Sequence, residues 1–180
     1  QLLTRTPVTP DVMSWVGFGL AVGAAALIIT GYLFAAGLAV LVAGFFDILD
    51  GALARSLNRT TQFGAVLDAT LDRLAEVVLL LGILFFYIGG GFIVATWLAA
   101  IALPASLLVS YIRARAESLG IECQVGLFTR TERVIVLALG LLLSQINDAF
   151  LVVALGIIVF FSIITIGHRL FHVWRQTKIN

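Results

Sequence analysis

Four aspartates stand out in an otherwise apolar stretch: Asp47, Asp50, Asp68 and Asp72. Asp47, Asp50, Gly51 and Ala54 are spaced i, i+3, i+4, i+7, which puts them on one helical face. Asp68 and Asp72 are four residues apart and share the face of a second helix. The polar segment from Arg55 to Gln62 between them is long enough for a tight reversal. A helical hairpin closed there brings all four carboxylates to one point, where they repel one another unless a cation lies among them. Hard oxygen ligands in this number suit Mg²⁺, Mn²⁺ or Ca²⁺ rather than zinc. A single membrane aspartate more often makes a packing hydrogen bond or lines an ion path. Four at this spacing, with two glycines and an arginine at fixed offsets, argue for a metal site.

The neighbours of the aspartates have two readings each. Gly51 and Ala54 either let helices approach closely or leave room for a flat base or ribose. Gly64 removes a side chain near the same spot. Arg55 either pairs with a phosphate or marks the membrane interface. Thr61 is either part of that pocket or a helix N-cap. A second constellation comprises Arg113, Arg133 and Arg169, which end the fourth, begin the fifth and end the sixth apolar segments. Converging guanidiniums bind phosphate by bidentate, charge-assisted hydrogen bonds, but the same residues also serve as plain topology signals. Arg73 and Glu76, three apart, are expected to pair with each other. Asp11 reads as an N-cap, His168 and His172 as interfacial side chains, and Trp15, Trp97 and Trp174 as interface anchors. Cys123, the one cysteine, excludes an internal disulfide framework.

The elements that must position these groups are membrane helices. Of the 180 residues 61% are hydrophobic and 12% charged, with a mean hydropathy of +1.12, beyond the range of soluble domains. Spans of about 20 residues cross a bilayer. Six fit, at about 12–30, 33–54, 64–88, 92–112, 133–146 and 149–170, the fifth being the shortest apolar run. No cleavable signal peptide is seen and residues 1–180 read as a single domain. The basic residues fall at the N-terminus, the second turn, the fourth loop and the C-terminus, whereas the first, third and fifth turns carry none. By the positive-inside rule both termini are cytoplasmic, and the aspartate site opens at the cytoplasmic face of the cell membrane. The expected fold is an all-α integral membrane protein with six transmembrane helices.

Written as a pattern, D-x2-D-G-x2-A-R-x8-G-x3-D-x3-D is filled by Asp47, Asp50, Gly51, Ala54, Arg55, Gly64, Asp68 and Asp72. It resembles the signature of the class I CDP-alcohol phosphotransferases with every fixed position matched, and the local sequence looks closest to their phosphatidylinositol phosphate synthase branch. The resemblance implies an enzyme of phospholipid biosynthesis. A CDP-linked lipid such as CDP-diacylglycerol, or an archaeal counterpart, would bind with its diphosphate on two Mg²⁺ or Mn²⁺ ions. A hydroxyl of a phosphorylated polyol would attack the lipid-bearing phosphorus, and CMP would leave. The resemblance makes Asp47, Asp50 and Asp68 the main metal ligands and Asp72 the general base that also touches a metal. It gives Gly51, Ala54, Arg55, Thr61 and Gly64 to the CDP moiety. Arg113, Arg133 and Arg169 go to the acceptor phosphate, with inositol 1-phosphate first and glycerol 3-phosphate, as in a phosphatidylglycerophosphate synthase, second. The branch often has lysine where this chain has Arg113, which keeps the charge and alters the geometry. Homodimers are implied; nucleic acid is not expected as a partner.

Two other classes use intramembrane acids. An ion-coupled transporter needs acidic or broken helices at mid-membrane and a path to the outer side, where this chain holds only Asp148. An intramembrane prenyltransferase also binds metal-diphosphate through Asp-x2-Asp. In that scheme the Asp-x3-Asp pair, Gly51 and Arg55 have no reason.

Overall fold

The computed structural model describes the backbone of residues 10–57, 61–126 and 128–179, and the side chains of these except 10–11, 47–57 and 179. Among the described residues six helices follow one another: α1 (Pro10–Ile29), α2 (Leu33–Leu57), α3 (Gln62–Gly90), α4 (Ile93–Ser118), α5 (Arg130–Leu143) and α6 (Ala149–Ile179). All six expected segments are helical, and most run past their apolar stretch. An α-helix satisfies its backbone internally, so it continues into water until a cap stops it, whereas hydropathy records only the part that avoids water. Thus α4 extends through Arg113 and Arg115 to Ser118, and α6 through Arg175 to Ile179. Pro10 and Asp11 are already helical. Asp11 is therefore not the residue preceding the helix, and its side chain lies outside the described residues.

Among the described residues three helices are long and apolar enough to cross a membrane by length and composition: α1, α4 and α6. The described apolar part of α2, Leu33–Phe46, is shorter. The first half of α3 carries Asp68, Asp72, Arg73 and Glu76. With 14 residues, α5 rises about 21 Å. Its capping device places the start three residues before the expected one: Glu132 reaches back to accept a 2.8 Å hydrogen bond from the backbone N–H of Thr129.

The core is built from small side chains that let helices close up. α1 lies against α2 and α3, α2 against α5, α3 against α4, and α6 against α4 and α5. Ala21, Ala24, Ala36, Ala99, Ala102 and Ala138 are buried among Ile28, Leu80, Ile83, Leu141, Leu151 and Leu155. At the α5–α6 crossing a Cβ on Gly140 would lie 2.5 Å from the Ala154 Cβ, so only glycine allows this approach. Large apolar side chains such as Trp15, Phe45, Phe85, Trp97, Phe160 and Trp174 point outward, an arrangement suited to lipid rather than water.

Three tertiary contacts fix which helix ends lie together. Ser14 of α1 meets Asp68 of α3, Arg130 of α5 meets Asp72 of α3, and Arg169 of α6 meets the Val109 carbonyl of α4. The N-terminal ends of α1, α3 and α5 thus gather with the C-terminal ends of α4 and α6, and this end carries the charge. The opposite end is made of the short turns around Gly31, Gly91 and Ser144.

Candidate active site

Thr61 caps α3: with extended backbone (φ −89°, ψ 149°), its hydroxyl accepts a 2.9 Å hydrogen bond from the Gly64 N–H. The N-cap reading of this threonine is therefore the one its contacts show. Gly64, Asp68 and Asp72 follow at intervals of four along one face of α3. Asp68 Oδ1 accepts a 2.9 Å hydrogen bond from Ser14 Oγ. Asp72 Oδ2 lies 2.6 Å from Arg130 Nη1, in a pair whose side chains are 27% (Arg130) and 23% (Asp72) exposed. Both aspartates line a polar cavity of about 370 Å³, together with Arg73, Arg113, Arg130 and Arg169. Asp47, Asp50, Gly51, Ala54 and Arg55 occupy the last turns of α2, whose backbone is helical there, but their side chains lie outside the described residues.

The expected arginine set is not brought together whole: Arg113 and Arg169 line the cavity and Arg133 does not. Arg133 is 1% exposed and does not line the cavity. Its Nε and Nη2 form a bidentate pair with Glu76 Oε1 and Oε2 at 2.6 and 2.9 Å, and Nη1 donates to the Phe128 carbonyl at 3.4 Å. Glu76 consequently does not pair with Arg73, whose Nη1 bonds the Ala69 carbonyl one turn back on its own helix. The reason is burial. Glu76 faces the interior, where a carboxylate must find a full-charge partner, and Arg133 arrives from α5 with planar two-point geometry that matches it.

Arg113 and Arg169 do reach the cavity. Arg113 Nε is 2.8 Å from Glu117 Oε1 in an exposed i, i+4 pair, worth about 0.3–0.5 kcal/mol and readily exchanged. Arg169 is 2% exposed. Its Nε donates to the Val125 carbonyl at 2.9 Å and its Nη1 to the Val109 carbonyl, tying the α4–α5 connection to α6. Gly126 (φ 130°) lies directly beneath it, and a Cβ there would come 2.8 Å from Thr165 and 3.1 Å from Arg169 Nε. Glycine alone supplies both the conformation and the space.

Arg130 is the site residue that sequence reasoning missed. It was visible as the first arginine of Arg-Thr-Glu-Arg, on the same helical face as Arg133 (i, i+3). Its place is held by the start of α5, where the Thr129 hydroxyl bonded to Glu132 holds that carboxyl below its usual range. Ser14 was missed as well, and one hydroxyl near a helix start gives no signal by itself. His172 Nε2 lies 3.2 Å from the Glu122 carbonyl, and His168 is exposed, as befits side chains outside the site. Trp15, Trp97 and Trp174 are exposed, and Lys178 Nζ sits 4.1 Å from the centre of the Trp174 ring.

A second cavity, of about 240 Å³, is apolar and lies between α1, α2, α3 and α5, against Phe18, Val40, Leu71, Leu79 and Val134. It shares Asp72, Arg130 and Thr131 with the polar cavity. Asp72 therefore stands where an apolar space and a basic one meet. Among the described residues no three acidic, histidine or cysteine side chains converge. Asp68 and Asp72 present two carboxylates one turn apart to one cavity, a donor set that fits a hard divalent cation completed by further oxygen ligands.

Residues 7–166 match the family model described as CDP-alcohol phosphatidyltransferase. The archaetidylinositol phosphate synthase of Methanothermobacter thermautotrophicus is 38% identical over 175 residues, covering 97% of this chain and 87% of that one. The phosphatidylinositol phosphate synthase of Mycobacteroides abscessus is 36% identical over 180 residues, covering 93% and 78%. The crystal structure of Mycobacterium tuberculosis phosphatidylinositol phosphate synthase with CDP-DAG bound superposes with a TM-score of 0.88 at 35% identity, covering 96% of this chain and 89% of that one. The same enzyme in complex with manganese and citrate gives a TM-score of 0.86 at 35% identity, covering 96% and 85%.

Proposed function

The chain belongs to the CDP-alcohol phosphatidyltransferase family, and from that premise we propose that it transfers the phosphatidyl or archaetidyl group of a CDP-linked lipid to a hydroxyl of inositol 1-phosphate, releasing CMP. The observation that carries this reading is the position of Asp72, on the wall common to an apolar cavity and a cavity lined by four arginines. The apolar side suits the lipid next to its phosphate. The basic side suits a phosphorylated polyol. The names of the relatives support inositol phosphate as that polyol.

The residues have separate tasks. Asp68 and Asp72, with Asp47 and Asp50 from α2, would hold divalent magnesium or manganese, two ions in this reading. That metal would supply charge neutralisation of the diphosphate and of the departing CMP oxygen. Ser14 orients the Asp68 carboxylate through its hydrogen bond. Asp72 takes the proton of the attacking hydroxyl. Arg113 and Arg169 hold the acceptor phosphate, while Gly51, Ala54, Arg55 and Gly64 border the nucleotide. Arg133 is withdrawn from binding by Glu76. Six crossings with the charged end and both termini in the cytoplasm, and a homodimer, complete the reading.

The test is an assay of membranes with CDP-diacylglycerol and radiolabelled inositol phosphate, glycerol phosphate, inositol or serine, followed by lipid chromatography. A phosphorylated inositol lipid is the expected product. A product from glycerol phosphate alone would move the reading to the phosphatidylglycerophosphate class. Chelation with EDTA should abolish CMP release and magnesium or manganese should restore it; full activity in EDTA after dialysis would remove the metal from the scheme.

A further inference from the structure

The connection between α4 and α5 is laid along the last turns of α6. His172 Nε2 lies 3.2 Å from the Glu122 carbonyl. One turn earlier on α6, Arg169 Nε donates to the Val125 carbonyl at 2.9 Å. These contacts pair 122 with 172 and 125 with 169, so segment 121–126 runs antiparallel to the helix. Cys123, between the two contacts, is 0% exposed. The same guanidinium reaches α4, where Nη1 donates to the Val109 carbonyl. Gly126 closes the arrangement. Its φ is 130°, and a Cβ there would lie 2.8 Å from Thr165 Cγ2, 3.1 Å from Arg169 Nε and 3.4 Å from Arg169 Nη2. Nη2 itself makes no hydrogen bond among the described residues, and Arg169 lines the basic cavity.

We infer that segment 121–126 is the positioning element of Arg169: two backbone carbonyls and the bare face of Gly126 fix the guanidinium so that its Nη2 edge is presented to the acceptor's phosphate. The inference rests on the transferase reading above and deepens it by naming what sets the arginine's direction. Burial makes the fixing necessary. A guanidinium that is 2% exposed needs acceptors for its N–H groups. Carbonyls supply them without neutralising the charge, as a carboxylate would. Arg169 therefore keeps its positive charge for a ligand. Arg133, 1% exposed, is neutralised by Glu76 instead.

Arg113 serves the same cavity in the opposite way. It is exposed, tied only to Glu117 on its own helix, and must be ordered when a ligand arrives. Arg169 is ordered beforehand, which removes that cost from binding. The hold has a reciprocal consequence. Phosphate that binds Arg169 in the direction the segment imposes must strengthen the segment's hold on α6 by the same factor. Cys123 is the one cysteine of the chain and reports this hold, because a thiol reagent reaches it only when the segment lifts.

The experiment follows the rate at which a maleimide labels Cys123 in the purified, metal-free chain. Inorganic phosphate should slow the labelling of wild type, by up to about tenfold at ten times its Kd. Arg169→Gln should label faster and lose the effect of phosphate. In the transfer assay Gly126→Ala should raise the KM for inositol phosphate at least about tenfold and leave the KM for CDP-diacylglycerol near wild type. Thr165→Ser removes the methyl carbon that a Cβ at position 126 would meet. Gly126→Ala with Thr165→Ser should therefore regain Tm while the acceptor KM stays high, because Arg169 is still displaced. The labelling arm uses wild type, so the inference remains testable if Gly126→Ala fails to fold. Wild-type labelling indifferent to phosphate, an acceptor KM unchanged in Gly126→Ala, or a double variant whose acceptor KM returns with its Tm would each overturn the positioning role. A wild type that transfers lipid to no phosphorylated polyol, while phosphate still protects Cys123, would instead overturn the transferase reading and leave the positioning of Arg169 standing.

Discussion

Two arginines one turn apart on α5 meet two carboxylates one turn apart on α3, and the resulting pairs differ chiefly in depth. Arg133 and Glu76 are 1% and 7% exposed; Arg130 and Asp72 are 27% and 23% exposed. The deep pair cannot release either member, because a lone buried charge costs about 3–5 kcal/mol. The shallow pair, closer to a surface ion pair of about 0.2–1 kcal/mol, can exchange one partner for a ligand. The same two residue types therefore make a fastening at one level and a partly exposed pair on the cavity wall at the next. The fastening keeps α3 and α5 in register beneath that partly exposed pair.

The sharpest way to break this comparison is to neutralise each carboxylate. Asp72→Asn should lower CMP release by about 10²–10⁴-fold, the contribution of a positioned general base, while CDP-lipid binding and Tm stay near wild type. An Asp72→Asn protein that unfolds, or turns over normally, would put the two pairs in one category. Glu76→Gln should do the reverse and cost about 3–5 kcal/mol of stability, read as a fall in Tm. Glu76→Leu combined with Arg133→Met should recover most of that loss, since the pair is replaced by apolar volume.

Arg113→Gln sharpens the comparison at the rim. One charge-assisted hydrogen bond of about 1.5–3 kcal/mol corresponds to at least a tenfold rise in the acceptor KM, with the CDP-lipid KM and the Tm little changed. The smallest effect belongs to the cap that carries Arg130. Thr129→Ala should cost about 1 kcal/mol. Because Thr129 holds the Glu132 carboxyl below its ordinary value of 4.5, this contribution is fully present above pH 4.5 and is lost as pH falls through the lowered folded value. The variant should show a flatter dependence of Tm on pH in that acid range.

The helices and the aspartate face of α3 were legible because each is a local pattern. Apolar runs of membrane length mark the helices, and a spacing of four sets Asp68 over Asp72. Family membership then removes the transporter and prenyltransferase readings. That Arg133 is buried against Glu76 and Arg130 faces the cavity could not be read from the sequence, for a physical reason. Arg130 and Arg133 share a face of α5, and nothing in their spacing says which lies deeper. Depth is set by Glu76, 57 residues away in sequence. Glu76 itself was paired with Arg73 because a local i, i+3 partner is visible in a sequence and a tertiary one is not. The start of α5 was placed three residues late because hydropathy begins to rise at Val134. The Thr129–Glu132 cap was in the sequence and is the better marker of a helix start.

The brevity of α5 has a consequence for the surrounding lipid. Its 14 residues reach about 21 Å, against a hydrocarbon thickness of about 30 Å, and its charged end is pinned by Asp72 and Glu76. With α5 as the fifth crossing of the proposed six, the whole deficit falls at the opposite end. That end carries a recess of about 470 Å³ lined by Tyr32, Phe34, Ser144, Gln145 and Asp148. In the six-crossing reading the bilayer thins along this flank to meet the protein, a local hydrophobic mismatch. In that reading host lipids with longer acyl chains raise the cost of the thinning at the short helix that carries Arg130.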